Sequence, residues 1–352
     1  MFGMGKPKGL VGLDIGSSAV KAVELKKRGA SYELVNFGVE FLGQDTVVDG
    51  SIMDALSVSA AVERIFAENK IKTSNVATSV SGHSVIVKRI TVNAANNDEL
   101  DSAIPYAAPE HIPFDISDVN LSYQPLGPSS SGQGMDVMLV AVKREKILNH
   151  TNVLSQANKI PSVVDYDGFA MFNAFEANYE VAQDSIVALL NIGASITNIV
   201  VGRGGTPLFT RDVSMGGNQY TDALQKELDL SYEDAEKLKQ GQEVGSISAE
   251  QKTSHLHAVS EILMLEIQKT FDFFRQTTLA ENTQHIYLAG GTAKIEGLVD
   301  QLKGEFHVPV EIIDPFRHVK VDPEKFDQAY LQDMAPSLCV GVGLALRSFD
   351  ES

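Results

Sequence analysis

Asp14 ends the apolar run Val11-Gly12-Leu13 and is followed by Ile15 and the small residues Gly16, Ser17 and Ser18 before apolar residues resume. A Gly-Ser-Ser turn exposes successive backbone N–H groups and two hydroxyls, so it cradles an anion with no bulky side chain in the way. Asp14 would hold a hydrated Mg²⁺, and Lys21 would offset phosphate charge. Taken singly, the same residues serve equally well as an ordinary tight hairpin turn. The pattern returns, however: Leu13–Val23 reappears as Leu190–Val200, 177 residues further on, placing Asn191, Gly193, Ser195 and Thr197 in a second copy. Two facing turns would clamp the β- and γ-phosphates of a nucleotide.

A third segment suits the nucleoside end. Ile286–Ala289 is an apolar strand, Gly290-Gly291 a turn, and from Thr292 a helix is expected whose N-terminus points at an anion. Alone, a strand, a Gly-Gly turn and a helix are also ordinary α/β packing.

These residues need a scaffold, and the hydropathy pattern supplies one. Each small-residue turn sits in a β-hairpin, and residues 31–42 and 206–213 read as a third strand after each hairpin. Met53 to Asn69 places Ala55, Val58, Ala61, Val62, Ile65 and Phe66 on one helical face. Strand patterns at 76–80, 84–92, 136–142 and 286–289 and helical ones at 145–158 and 294–303 complete an α/β chain of two related lobes, each a mixed β-sheet flanked by helices. Two insertions break the symmetry. Residues 82–160 form an α+β subdomain with a helix near Asp98 and an exposed, mobile loop Gly127–Gly134; residues 216–280 are helical, ending in an amphipathic run from Ser254 to Thr278. The expected division is a first lobe core at 8–81, the α+β insertion at 82–160, a connecting helix and the start of the second lobe at 161–215, the helical subdomain at 216–280, and the second lobe's end with a closing helix at 281–352.

Composition limits the function. The 352 residues are 43% hydrophobic and 21% charged, enough for sizeable cores. The net charge of −17, most of it in the second half, repels phosphate backbones and argues against nucleic-acid binding. One cysteine, Cys339, excludes an intrachain disulfide framework and fits a reducing compartment, with the thiol packed in a core helix. No apolar run approaches the roughly 18 residues of a spanning helix, and Met1 to Lys6 lack a signal peptide's apolar stretch, so a cytoplasmic protein is expected, reaching a membrane only through a partner or a surface patch. His255 and His257, two apart on a helix, do not share a face for zinc. Phe271, Phe273 and Phe274 are expected to pack a helix, and Lys26-Lys27-Arg28 to form a solvated turn.

With Asp165–Ala174 and Pro336–Ala345 as connecting segments, the three turns resemble the phosphate-1, phosphate-2, adenosine and connecting motifs of the actin, sugar-kinase and heat-shock-chaperone ATPase superfamily. The resemblance covers most of the chain and implies ATP or ADP with Mg²⁺ as cofactor. Asp167 would either orient an attacking water or cap the helix starting at Gly168. Ile104–Asp115, followed by a hairpin and Ala141-Val142-Lys143-Arg144, resembles the extra subdomain of the PilM-like, FtsA-like proteins of type IV pilus assembly, as do Met215–Thr221 and Ala235–Lys239. The resemblance implies that Gly216, Gly217, Glu236 and Lys239 line the nucleotide pocket; the last two read equally as solvated residues on a charged helix face. It also implies a cytoplasmic scaffold beside the inner membrane whose partners are the N-terminal segment of PilN and other proteins of the pilus inner-membrane complex, with a homo-oligomer left open. A small-molecule kinase using Asp165 or Asp167 as base, and a filament-forming ATPase, are the alternatives. Where the superfamily has an acidic residue opening phosphate-2, this chain has Asn191, which cannot supply a second charge near Mg²⁺, so slow or absent hydrolysis is expected.

Overall fold

The computed structural model describes residues 9–129, 132–278 and 282–349. The N-terminal residues 1–8, and Ser130 and Ser131 of the Gly/Ser loop, lie outside the described residues.

The first lobe opens with β1 (Val11–Ile15), β2 (Ala19–Arg28) and β3 (Ser31–Phe41), an antiparallel meander. After β4 (Val47–Val48) and β5 (Ser51–Ile52) comes α1 (Ala55–Glu68), capped by Asp54, whose carboxylate accepts a bond from the Ser57 N–H at 3.0 Å. Its buried residues Val58, Ala61, Val62, Ile65 and Phe66 follow the three-to-four spacing and cover β1 and β2. β6 (Asn75–Val80) is followed by β7 (Val85–Val92), α2 (Asn97–Ala107), β8 (Val119–Pro128) and β9 (Met135–Lys143), a three-stranded sheet with its own small core around Leu100, Ile104 and Leu139. The chain then runs through α3 (Arg144–Gln156), which packs Val153 and Leu154 into the α1 core, β10 (Ile160–Tyr166) and α4 (Asp167–Asn178).

The second lobe repeats the plan with β11 (Ile186–Ile192), β12 (Thr197–Arg203) and β13 (Thr206–Val213). Helices α5 (Gly217–Leu228), α6 (Tyr232–Lys239) and α7 (Ala249–Thr278) are inserted before β14 (His285–Ala289), α8 (Leu298–Phe306) and β15 (Val310–Ile312); β16 (Val319–Lys320), α9 (Gln328–Met334) and α10 (Cys339–Leu346) close the chain. The sheet order β3-β2-β1-β6-β10 in one lobe reads β13-β12-β11-β14-β15 in the other, with β16 added beside β3. The internal repeat in the sequence is thus a repeat of topology. α7 buries Leu256, Val259, Leu263, Ile267, Phe271 and Phe274 in the second lobe, as its spacing predicts, while Phe273 lies with its ring 5.8 Å from Phe209.

α4 and α10 cross beneath the two sheets, and small residues make the crossing possible. A Cβ on Gly343 would stand 1.7 Å from the Ala170 carbonyl oxygen, and one on Gly12 would stand 2.1 Å from that of Gly341. Every residue of α10 is buried, including Cys339, whose thiol burial pushes up to about 12.

Four expectations change. The helix expected at 294–303 begins only at Leu298, because a short 3₁₀ turn, Gly291–Lys294, is followed by extended Ile295 and by Gly297 at φ +82°. Lys26, Lys27 and Arg28 stay in β2, paired across to Glu33, Tyr32 and Ser31, so the turn comes after them. Asp167 occupies the first turn of α4, with Tyr166 in the cap position, and therefore does not cap it. Finally, α9, α10 and the short turns around them join into one helical stretch, Gln328–Phe349, that is long and apolar enough to cross a membrane by length and composition; 67% of its apolar window is buried inside the protein.

Candidate functional site

The two hairpin turns are built alike. Gly16 N–H donates to the Ala19 carbonyl at 3.0 Å, and Gly193 N–H to the Ile196 carbonyl at 2.9 Å, the same pair displaced by the repeat. Behind each turn the strand register sets one polar pair. In the first it is ionic: Lys21 Nζ donates to Asp14 Oδ2 at 2.9 Å, with side chains only 13% and 10% exposed. In the second it is neutral, Asn191 Nδ2 donating to Asn198 Oδ1 at 2.8 Å. Ser17 is half-buried and Ser18 exposed in the first turn.

The second turn is seated by its surroundings. Its carbonyls accept the first N–H groups of α5, Gly217 to Gly193 at 2.9 Å and Asn218 to Ala194 at 2.8 Å, and the Thr292 hydroxyl donates to Gly193 O at 2.8 Å. Gly216 N–H is taken by Gln219 Oε1 at 2.7 Å, and the Thr197 hydroxyl donates to the Met215 carbonyl at 2.7 Å. Ser195 is buried beside them. These groups therefore hold the turn in shape. The glycines add space: Gly290, at φ +87°, brings its backbone so near Ile192 that a Cβ would stand 2.3 Å from the carbonyl oxygen, while a Cβ on exposed Gly291 would meet nothing within 4 Å. Glu236 and Lys239 are not solvated. Lys239 Nζ, in a side chain 14% exposed, donates to Thr221 Oγ1 at 2.8 Å, to Gly217 O at 3.3 Å and to Glu236. The pair thus closes the α5–α6 wall next to Gly217.

Three carboxylates, Asp14, Asp167 and Asp212, act on one another across the two lobes. Loss of hydration pushes the Asp167 carboxyl up to about 6, with Asp14 and Asp212 adding repulsion. Asp212 on β13 is drawn upward by burial against the bonds it accepts. Its oxygens take the Tyr166 hydroxyl at 2.6 Å, Asn198 Nδ2 at 2.9 Å and the Gly82 N–H at 2.7 Å, joining β10, β12 and the entry to β7. Lys146 is buried, donates to the Gly50 carbonyl and faces Asp167, Asp212 and Asp49; desolvation lowers its pKa. Asp165, by contrast, lies 3.4 Å from Arg347 Nε. Asp167, at the start of α4, thus feels the charge of both Asp14 in the first lobe and Asp212 in the second.

Asp212, Asn198, Tyr166 and Lys146 were missed from sequence. The repeat carried a signal for one of them, since Asn198 stands where the first copy has Lys21. A surface groove of about 590 Å³, lined by His83, Asp212, Gln219, Asp222, Ile262 and Glu266 among others, includes Asp212 and none of the turn glycines.

Two sheets of one topology, each opening with a tightly closed hairpin turn and joined by crossing helices, define the actin-like ATPase fold. The chain belongs to the family of the type IV pilus assembly protein PilM, whose model matches residues 12–349. It is similar, at 28% identity and a TM-score of 0.87, over 98% of its length and 100% of the other chain, to a solved structure described as the PilM-PilN type IV pilus biogenesis complex. The ethanolamine utilization protein EutJ from Carboxydothermus hydrogenoformans shares the fold at 15% identity, 97% and 90% coverage and a TM-score of 0.58. MreB 5 of Spiroplasma citri bound to AMPPNP does so at 13% identity, 96% and 94% coverage and a TM-score of 0.53.

Proposed function

We propose that this protein is an ATP-binding, actin-like scaffold of type IV pilus assembly, cytoplasmic and held beside the inner membrane by binding the N-terminal segment of PilN. The observation that carries the reading is the pair of identically closed turns, at Gly16 and Gly193, together with an Asp167 that feels both Asp14 of one lobe and Asp212 of the other. The full-length similarity to a chain solved in a PilM-PilN complex supports the partner, and an MreB relative solved with AMPPNP supports the ligand class.

The residues present fit a nucleotide tail. Glycines at 16, 193, 217, 290 and 291 keep the backbone bare on every wall, and the cleft holds two cations, Lys21 and Lys146, among its carboxylates. Gly16, Ser17 and Ser18 would hold the phosphates from one side and Gly193, Ala194 and Ser195 from the other, with the Glu236–Lys239 wall and Gly290–Thr292 beside the nucleoside. Mg²⁺, when bound, would neutralise phosphate charge, and Asp14 is the residue placed to hold it through water. In this reading residues 8–81 are the first lobe's core, 82–160 and 216–280 are insertions, and 161–215 with 281–352 make the connection and the second lobe. Hydrolysis is slow or absent, because Asn191 is bonded to a second amide and brings no charge.

A nucleotide favours partner binding only by its different affinity for the open and closed lobes, on the order of 1–3 kcal/mol when sites are coupled. Calorimetric titration of a PilN N-terminal peptide, with and without Mg²⁺ and ATP, is the test. A several-fold gain in affinity is expected with ATP. Equal affinities would remove the coupling and leave the scaffold, whereas no peptide binding in either condition would overturn the scaffold reading.

A further inference from the structure

The second turn lacks the acidic residue that its counterpart has, yet a carboxylate stands two bonds behind it. Asp212 collects three donors: Tyr166 Oη, Asn198 Nδ2 and Gly82 N. A group receiving three donors on two oxygens acts as an acceptor, and this fixes the polarity of both amides in front of it. Asn198 must turn its NH₂ to Asp212, which leaves its oxygen toward Asn191. Asn191 must then turn its own NH₂ to Asn198, at 2.8 Å. Its remaining atom, Oδ1, is left on the side of the Gly-Gly turn, where a Cβ on Gly290 would stand 2.9 Å away. In the first copy the equivalent pair needs no such relay, because Lys21 is a donor only and Asp14 an acceptor only.

We propose that Asp212 is a positioning residue for the second turn: acting through Asn198, it holds Asn191 with its carbonyl oxygen, and not its NH₂, facing the cleft. The proposal rests on the nucleotide reading and deepens it. A neutral oxygen there accepts a hydrogen bond from a water of Mg²⁺ as a carboxylate oxygen does, whereas an NH₂ group would repel it. The lost acidic residue is then replaced in polarity, though not in charge, by a carboxylate on the next strand. The same carboxylate bonds Gly82, at the entry to the inserted sheet, so the turn's orientation is also fastened to that subdomain.

The test uses the full chain with Asp212→Asn, and with Asn198→Asp/Asp212→Asn. In the double variant the carboxylate introduced at position 198 accepts directly from Asn191. The amide introduced at position 212 donates one hydrogen to that carboxylate and the other to the Tyr166 oxygen, whose hydroxyl turns to accept, while its own oxygen accepts from Gly82, so the direction of the relay is restored. ATP is titrated with Mg²⁺ and with EDTA. Asp212→Asn is expected to weaken binding at least tenfold with Mg²⁺ and less than threefold with EDTA, and the double variant to recover to within threefold of the parent. A single variant that binds Mg²⁺ and ATP like the parent, or a double variant no better than the single, would overturn the proposal. A second readout needs no nucleotide: the Asn191 side-chain amide protons, followed by NMR with asparagine-selective ¹⁵N labelling, should be protected in the parent and the double variant and exchange faster in Asp212→Asn. If the parent shows no ATP binding, the nucleotide reading fails, and the protection pattern alone decides whether Asp212 orients Asn191. If Asp212→Asn does not fold, loss of Asn191 protection in the double variant overturns the proposal and its retention supports it.

Discussion

At position 14 and at position 191 the same strand end carries an acid in one copy and an amide in the other, and each has the partner its chemistry requires: a lysine for the acid, a second amide for the amide. Asp167, at the start of α4, forms no ion pair among the described residues. Its carboxyl, pushed up to about 6 by desolvation, is easier to protonate in the folded protein than in the unfolded chain, where a value near 3.8 applies. The folded state therefore carries no penalty below about pH 4 and the full penalty once the pH has risen through about 6. Asp167→Asn should accordingly stabilise the ligand-free protein by about 1–2 kcal/mol at pH 7.5 and by nothing measurable at pH 4, read as the difference in urea midpoints between variant and parent. Taking that difference also cancels His150, whose pKa burial lowers to about 4 and which acts in the opposite direction over the same range. An equal gain at both pH values would mean that Asp167 is not the group titrating.

Among the elements, α10 carries the greatest constraint. It is apolar on every side because α4, β1 and β2 enclose it. Gly343→Ala would place a methyl group against the Ala170 carbonyl, backbone against which no rotamer offers relief. We expect a loss of several kcal/mol, within the range for overpacked cores or above it, seen as a fall in thermal midpoint or in soluble yield. α7 obeys a different rule, burying one face only. Phe274→Ala should cost about 3–5 kcal/mol by opening a cavity in the second lobe, whereas Phe273→Ala, at a residue 52% exposed, should cost under about 1 kcal/mol in the same urea series. Similar costs at both positions would contradict the packing described here.

For the whole molecule, the proposed nucleotide binding predicts that stability depends on ligand. ATP with Mg²⁺ at about 100 times its dissociation constant should raise stability by about 2.7 kcal/mol, and a shift of this kind should be lost in Asp14→Ala, which also leaves Lys21 buried without its partner. A thermal shift unchanged in that variant would place the ligand elsewhere.

The chain's own pattern determined the duplicated hairpins, their third strands and the helical face of α7, because each depends on alternation or on a three-to-four spacing over neighbouring residues. It also revealed the glycine turns, since small residues are visible one by one, and the family, since the motifs recur in order. Only the tertiary structure decided what stands behind those turns. Asp212 meets Asn198 through strand pairing and Tyr166 through the meeting of the lobes, contacts that local spacing does not encode. It also decided that the first N–H groups of α5 seat the second turn, and that the helix after the Gly-Gly turn starts late, where a left-handed glycine interrupts it. Local periodicity names the residues that can form an element; which polar groups remain for a ligand is settled only after the packed elements have satisfied one another.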